Sequence, residues 1–244
     1  MNYFNFSDDI KLIKDHYDKY GYIIIENCIS DKMINNLMKT IYKKKNFPKR
    51  KQDLWKANEF IRLIAKDKKI LSLLKKIYNK DPLPFQTLNF AEGTQQEDHV
   101  DLVHFAPSED DLSLMCGVWY ALEDIKENMG PLIFYPESHK LPPIIDFTQF
   151  NNDYSKYASF LENYIKDKKL KFKLATIKKG SAIIWASNLI HGGSRFKEEG
   201  TTRYSMVTHY FFKGSKYWWT PRFSNKEKKV YRDKIIKKAQ RILW

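Results

Sequence analysis

Four side chains in this sequence have the types and spacings that one kind of metal chemistry needs. His99 and Asp101 stand two residues apart in the stretch His99-Val100-Asp101. On a strand, residues i and i+2 project from the same face, so this imidazole and carboxylate would point together. Two histidines and one carboxylate on one face of a metal suit non-haem Fe(II), because they leave positions open for O2 and a cosubstrate. A lone His-x-Asp pair arises often by chance, so the pattern gains weight only from a third ligand. That ligand stands in Asn188-Leu189-Ile190-His191-Gly192-Gly193, where the strand-like run Ala182-Ile183-Ile184-Trp185 leads into a glycine turn. Arg203 follows at the start of another apolar run. A bidentate 2-oxo acid on such a metal ends in a second carboxylate, which the planar fork of a buried guanidinium is suited to grip. His99, Asp101 and His191 are therefore expected to be metal ligands, and Arg203 a cosubstrate anchor.

These groups need strands to position them. From Phe85 onward, short apolar runs alternate with turn residues at 85–90, 99–105, 114–122, 132–135, 172–177, 182–185 and 203–212. That spacing suggests a sandwich or jelly roll. Ahead of it, Ser7 is expected to cap a helix carrying Ile10, Ile13, Tyr17 and Tyr20, which Gly21 ends. Tyr22-Ile23-Ile24-Ile25 reads as a buried strand, and Ser30 as the cap of a second helix with Met33, Ile34, Leu37, Met38 and Ile41 inward. Residues 43–51 read as a solvated basic loop, and 54–78 as one helical tract stopped by Asp81-Pro82-Leu83-Pro84. An Asn/Asp-rich loop and a helix near 157–165 interrupt the strands, as a lid or a surface excursion. Ser224-Asn225-Lys226-Glu227 has the capping-box pattern of a C-terminal helix. We expect one domain over 1–244: a helical buttress with the first strand at 1–83, a β core at 84–213 and a helical extension at 214–244.

Composition narrows the class. A chain with 43% hydrophobic and 15% aromatic residues can bury a core, which excludes a disordered protein. Cys28 and Cys116 are too few for a disulfide framework, no apolar stretch reaches membrane-spanning length, and the N-terminal residues lack a signal-peptide pattern. A soluble protein of the reducing cytoplasm, with no membrane partner, is expected. The net charge is +14, yet only 7 of the 43 basic residues are Arg. Because phosphate and nucleic-acid sites favour Arg, this excess reads as a lysine-rich solvated surface more than as a nucleic-acid site. His104 and His209 read as satisfied strand histidines, His139 as a turn cap, Cys116 as a small core residue, and the aromatics at 217–221 as packing.

The chain resembles the Fe(II)/2-oxoglutarate-dependent oxygenases of the phytanoyl-CoA dioxygenase type. The resemblance runs from Tyr20-Gly21-Tyr22-Ile23-Ile24-Ile25-Glu26-Asn27 through His99-Val100-Asp101, Trp119 and Gly130-Pro131-Leu132-Ile133-Phe134-Tyr135-Pro136-Glu137-Ser138-His139-Lys140 to His191 and Arg203. It implies a mainly β protein with flanking helices, built on a double-stranded β-helix (jelly-roll, cupin-like) core. By that matching, His99, Asp101 and His191 bind Fe(II), Arg203 binds the far carboxylate of 2-oxoglutarate, and Trp119 borders it. Of Gln86, Thr87 and Asn89 on the preceding strand, Gln86 is taken as the cosubstrate contact. The implied reaction consumes O2 and 2-oxoglutarate, releases succinate and CO2, and hydroxylates an unactivated carbon of a small metabolite or biosynthetic intermediate, the basic charge leaning toward an anionic one.

The sequence also departs from the family. A small hydroxylated residue often lies two positions after the distal histidine, where this chain has Gly193 followed by Ser194, so Arg195 competes with Arg203. A nucleic-acid demethylase of the wider superfamily would carry a second arginine downstream, but Tyr204, Ser205, Met206 and Val207 follow Arg203. A metal-binding cupin without oxygenase activity would have no need of Arg203. Asp101 fills the position that halide takes in halogenating relatives, so hydroxylation is expected over halogenation.

Overall fold

The computed structural model describes residues 1–43, 47–107, 114–141, 150, 153–198, 200–214, 217–218 and 232–243. In chain order the strands are β1 (Tyr3–Phe4), β2 (Tyr22–Ile25), β3 (Arg50–Gln52), β4 (Pro82–Phe90), β5 (Ala106–Pro107) and β6 (Met115–Ala121). They continue as β7 (Leu132–Phe134), β8 (Lys173–Leu174), β9 (Ala182–Ala186), β10 (His191–Gly193), β11 (Ser205–Phe212) and β12 (Tyr217–Trp218). The helices are α1 (Ile10–Tyr20), α2 (Asp31–Leu37), α3 (Glu59–Ala65), α4 (Lys68–Tyr78), α5 (Tyr154–Asp167) and α6 (Arg232–Leu243). A large sheet runs β1-β2-β9-β6-β11-β4-β3, a smaller one β10-β7-β8, and β12 pairs with β5. This is a double-stranded β-helix, a mainly β fold with flanking helices.

Both faces of the large sheet are covered, which explains why its strands read as unbroken apolar runs. On the outer face Ile23, Ile25, Val118, Tyr120 and Ile184 pack with Ile13, Tyr17, Leu37, Ile64 and Leu74 of α1 to α4. Tyr22, Ile24, Trp119, Ile183 and Trp185 alternate to the inner face and meet Leu132 and Phe134 of the small sheet. The insertion helix α5 covers a third cluster, where Tyr157 and Leu161 pack on Val100, Leu102 and Ile190. No described helix is long and apolar enough to cross a membrane.

Several local expectations hold. Gly21 ends α1 with φ +77, and its N–H donates to Tyr17 O at 2.7 Å. Ser30 caps α2 by accepting from Met33 N at 3.3 Å. Others need correction. Asp9, not Ser7, caps α1, since its carboxylate takes the Lys11 N–H at 2.8 Å. The tract 54–78 is not one helix: a 3-10 turn at Leu54–Lys56 precedes α3 and α4, each restarted by its own cap, Asn58 and Asp67. Asn79, in the left-handed region at φ 52, ends α4, and Pro82-Leu83-Pro84 begins β4 instead of breaking the chain. Prolines are tolerated there because β3 pairs only with residues 88–90, leaving that half of β4 an edge.

The expected strand 172–177 shrinks to β8, the helix near 157–165 extends to Tyr154–Asp167, and the basic loop contributes β3 to the sheet edge. The capping box at 224–227 and the aromatics 219–221 lie outside the described residues.

Gly117, in the middle of β6, is opposed by Trp185 of β9 and His209 of β11. A Cβ there would overlap the Trp185 ring, so the inner face has no room for a side chain at this point. Gly117→Ala is expected to destabilise the fold by about 1–3 kcal/mol through overpacking. Urea unfolding measures it, and an unchanged midpoint would contradict the close approach.

Candidate metal centre

The two histidines are brought together by main-chain pairing. His99 and His191 form an antiparallel bridge, with His99 N donating to His191 O at 2.8 Å and His191 N to His99 O at 2.9 Å. Directly opposed residues of an antiparallel pair project to the same side. Their ring centroids lie 4.4 Å apart. The loop at 96–98 lies so close to β10 that a Cβ on Gly192 would overlap Asp98, and one on Gly193 would come within 3.0 Å of Gln96 N. The glycines after His191 are therefore strand residues that allow close approach, and not the turn expected from sequence.

The strand expected at 99–105 is also corrected. Only His99 pairs, and Asp101 opens a 3-10 turn, Asp101–Val103. Asp101 O accepts from His104 N at 2.9 Å and Phe105 N at 3.0 Å, which fixes that turn. Val100, between the two ligands, donates its N–H to Tyr157 Oη of α5 at 3.2 Å. The insertion helix thus braces the loop that carries both groups.

The donor set fits a divalent metal. His99 Nδ1–H donates to Glu97 O at 2.8 Å and His191 Nδ1–H to Leu189 O at 2.9 Å. In these tautomers each Nε2 keeps its lone pair, the state that a metal ligand needs. One carboxylate oxygen of Asp101 lies 3.7 Å from His191 Nε2, and the ligand atoms of His99, Asp101 and His191 all lie within 4.8 Å of one another. The amide of Gln96 sits 3.2 Å from His99 Nε2, on the lone pair that a metal would take.

All three candidate ligands are buried. Burial, with His191 and His104 nearby, pushes the His99 pKa well below its ordinary value, so the ring stays neutral and free to ligate. Burial alone would raise the pKa of Asp101, but His209, His191 and His99 around it more than offset this and hold the carboxyl well below the usual range.

Sequence reading missed the groups that steer Asp101. Trp185 Nε1 donates to its Oδ2 at 2.8 Å, and His209 Nε2 stands 3.6 Å from the same oxygen. His209 Nδ1 in turn meets Gln86 Oε1 at 3.0 Å. His209 is indeed a strand histidine with a partner, Gln86, and its other nitrogen faces Asp101. Only the alternation of β11 and β9 toward the inner face could have signalled these partners. Of the three residues considered on β4, Gln86 lines the cavity, whereas Asn89 faces the other way and donates to Tyr42 Oη at 3.0 Å.

Arg203 lies two residues ahead of β11 rather than on it, and is 3% exposed. Its Nη1 donates to Gly130 O at 2.8 Å, and its guanidinium stands 5.8 Å from the Trp119 ring and 5.7 Å from that of Phe90. Its Nε has no hydrogen-bond partner, and no carboxylate pairs with it among the described residues. Burial lowers its pKa to about 10, so it remains charged at neutral pH. Arg195, the competing candidate, is exposed, and Ser194 Oγ is committed to Pro131 O at 2.8 Å. A cavity of about 350 Å³ is lined by the three ligands together with Arg203, Trp119 and Gln86.

A β-helix whose interior joins two imidazoles and a carboxylate to a buried, unpaired guanidinium is the architecture of Fe(II)/2-oxoglutarate-dependent enzymes. The chain belongs to the phytanoyl-CoA dioxygenase (PhyH) family, whose model matches residues 17–203 and so spans the whole donor set. No curated protein matches the chain by sequence.

Among solved structures, the non-heme alpha ketoglutarate dependent epimerase SnoN from nogalamycin biosynthesis is 13% identical, with 88% of this chain and 87% of that one covered and a TM-score of 0.69. The carbocyclase SnoK of the same biosynthesis is 13% identical, with 89% and 90% covered and a TM-score of 0.69. HygX from Streptomyces hygroscopicus, with iron bound, is 14% identical, with 81% and 85% covered and a TM-score of 0.61. At such identities the likeness concerns the fold.

Trp185→Phe should weaken metal binding by about 10- to 100-fold, the usual cost of removing a partner that orients a ligand. Titration with Co(II), followed by its visible absorption, measures this. Unchanged affinity would mean that Asp101 is held without the indole.

Proposed function

We propose that the protein is a hydroxylase of small molecules that uses Fe(II), 2-oxoglutarate and O2. The observation that carries this reading is the buried Arg203 guanidinium, without a carboxylate partner among the described residues, in the same cavity as the His99, Asp101 and His191 donors. A charge buried without a partner is costly, so its retention calls for an anion that arrives with the ligand. A cupin that merely binds metal gives no use to such a group.

Iron bound by the three side chains would supply activation of O2 coupled to oxidation of 2-oxoglutarate to succinate and CO2. The chain's own residues do the rest. Arg203 fixes the far carboxylate of the cosubstrate with its planar fork, and Trp119 forms the wall beside it. Gln86 acts on the site through His209, and its amide also borders the cavity where the cosubstrate lies. Trp185 and His209 hold the Asp101 carboxylate ionised and aimed. With a carboxylate as third ligand the site keeps no position for halide, which favours oxygen transfer to the substrate radical over halogen transfer. Epimerisation and ring closure, the reactions named for SnoN and SnoK, differ from hydroxylation in what becomes of the substrate carbon.

Asp101→Ala is expected to abolish Fe(II)-dependent succinate formation, and unchanged turnover would overturn the assignment. Arg203→Ala should raise the 2-oxoglutarate concentration for half-saturation by about tenfold or more, the scale of losing a buried charged contact. Arg195→Ala should leave it unchanged. If the two arginine variants exchange these behaviours, the anchor is Arg195.

A further inference from the structure

The cavity holds a second guanidinium that the cosubstrate does not use. Arg50 opens β3, the outermost strand of the large sheet, directly across from Phe90 of β4. Its guanidinium stands 5.9 Å from the Phe90 ring, and Arg203 stands over the same ring at 5.7 Å. The two differ in depth: Arg203 is buried, while Arg50 is exposed to solvent at the opening. One cavity therefore carries an inner and an outer guanidinium, the ligand triad lining it as well.

Among the described residues no carboxylate neutralises Arg50. Its surroundings dehydrate it enough to lower its pKa, yet it forms no ion pair among the described residues. Two acids beside this sheet edge are engaged elsewhere, Glu92 with Lys49 at 2.9 Å and Asp53 with Lys238 at 2.6 Å. The carboxylate that lines the cavity, Asp101, is committed to the metal set. Of the other polar groups that line the cavity, Gln52, Thr94, Gln96 and His104 can donate hydrogen bonds. In a chain with 36 Lys and 7 Arg, two arginines converging on one cavity are not explained by a lysine-rich surface. Arg is the side chain that binds carboxylate, phosphate or sulfate through two parallel N–H bonds.

We propose that Arg50 anchors the substrate through an anionic group, so that the enzyme acts on small molecules bearing a carboxylate, phosphate or sulfate. Held at the opening by that group, the substrate extends inward past His104 toward the triad. This deepens the proposed oxygenase function and rests on it for the reaction, but the binding stands on Arg50 alone. With Arg203 taken by 2-oxoglutarate, Arg50 is the guanidinium left for the substrate among the described residues that line the cavity.

The test uses the full chain loaded with Co(II), titrated by calorimetry with phenyl phosphate, phenylacetate, benzenesulfonate and their neutral counterpart benzyl alcohol. Each titration is run with and without saturating 2-oxoglutarate, which separates the outer guanidinium from the inner one. The cosubstrate-loaded protein should bind at least one charged probe about tenfold or more tighter than benzyl alcohol, the scale of a charge-assisted hydrogen-bonded pair. Arg50→Gln should erase that preference while leaving 2-oxoglutarate affinity unchanged, and Arg195→Gln should preserve both. Arg50→Lys, which keeps the charge and loses the fork, should fall between, and it decides the matter should the Gln variant fail to fold. The order of the three charged probes identifies the anion. Retention of the preference in Arg50→Gln would overturn the proposal, as would equal binding of benzyl alcohol. Loss of 2-oxoglutarate affinity in Arg50→Gln would instead assign Arg50 to the cosubstrate. Failure of 2-oxoglutarate to bind the wild type would refute the oxygenase reading, and the charged-probe comparison would still judge Arg50.

Discussion

Two main-chain hydrogen bonds between His99 and His191 are the constraint on which the site depends. They bind a loop that follows β4 to a strand far later in the chain, and the opposed positions force both imidazoles to one side. Everything nearby serves that pairing. β7 holds β10 in register, Gly192 and Gly193 let the 96–98 loop come close, and Tyr157 Oη secures Val100 from the other side. Because the geometry is set by backbone, the rings need only their Nδ1 bonds to carbonyls to be aimed. A ligand pair built this way loses little side-chain entropy when the metal arrives.

The second layer of the site is electrostatic. A buried carboxylate is unfavourable unless donors or charges compensate it, and Asp101 has both the Trp185 indole and the His209 ring. These partners come from β9 and β11, central strands whose inner-face alternation is fixed by the cores on either side. Gly117 between them leaves the room that the indole needs. The ligand's charge state thus depends on the packing of the large sheet, so damage at β6 reaches the metal without touching a ligand.

The sequence made the chemistry legible and left its support unread. His99, Asp101, His191 and Arg203 stood out because their types are few and their chemistry is specific, and Gly21 and Ser30 because caps and helix ends are local. Strand periodicity does not put His99 and Asp101 on one face: a 3-10 turn brings the two side chains together with His191. The unbroken apolar spacing of 54–78 concealed two restarts, since Asn58 and Asp67 act as caps only where the chain bends. Pro82 and Pro84 looked like breakers because which half of β4 is an edge depends on where β3 pairs. Trp185 and His209 were illegible as partners of Asp101 for the same reason, for their roles exist only across strands. Arg50 was lost in a run of lysines, and its position at a sheet edge beside the cavity is a tertiary fact.

Charge balance joins these parts. Of the carboxylates and guanidiniums among the described residues, the cavity interior holds one negative charge from Asp101 and one positive charge from Arg203. A divalent metal alone would leave the interior with two excess positive charges, and dianionic 2-oxoglutarate alone with two excess negative ones. Together they cancel. In a low-dielectric interior such an excess is expensive, so metal and cosubstrate each raise the other's affinity, and the coupling is reciprocal. Arg50 lies outside that cancellation, at the solvent side, and adds one positive charge that neither ligand removes. A substrate carrying an anion completes the balance. The same accounting that leaves buried Arg203 without a carboxylate partner among the described residues is why an anionic substrate is the one proposed to bind last.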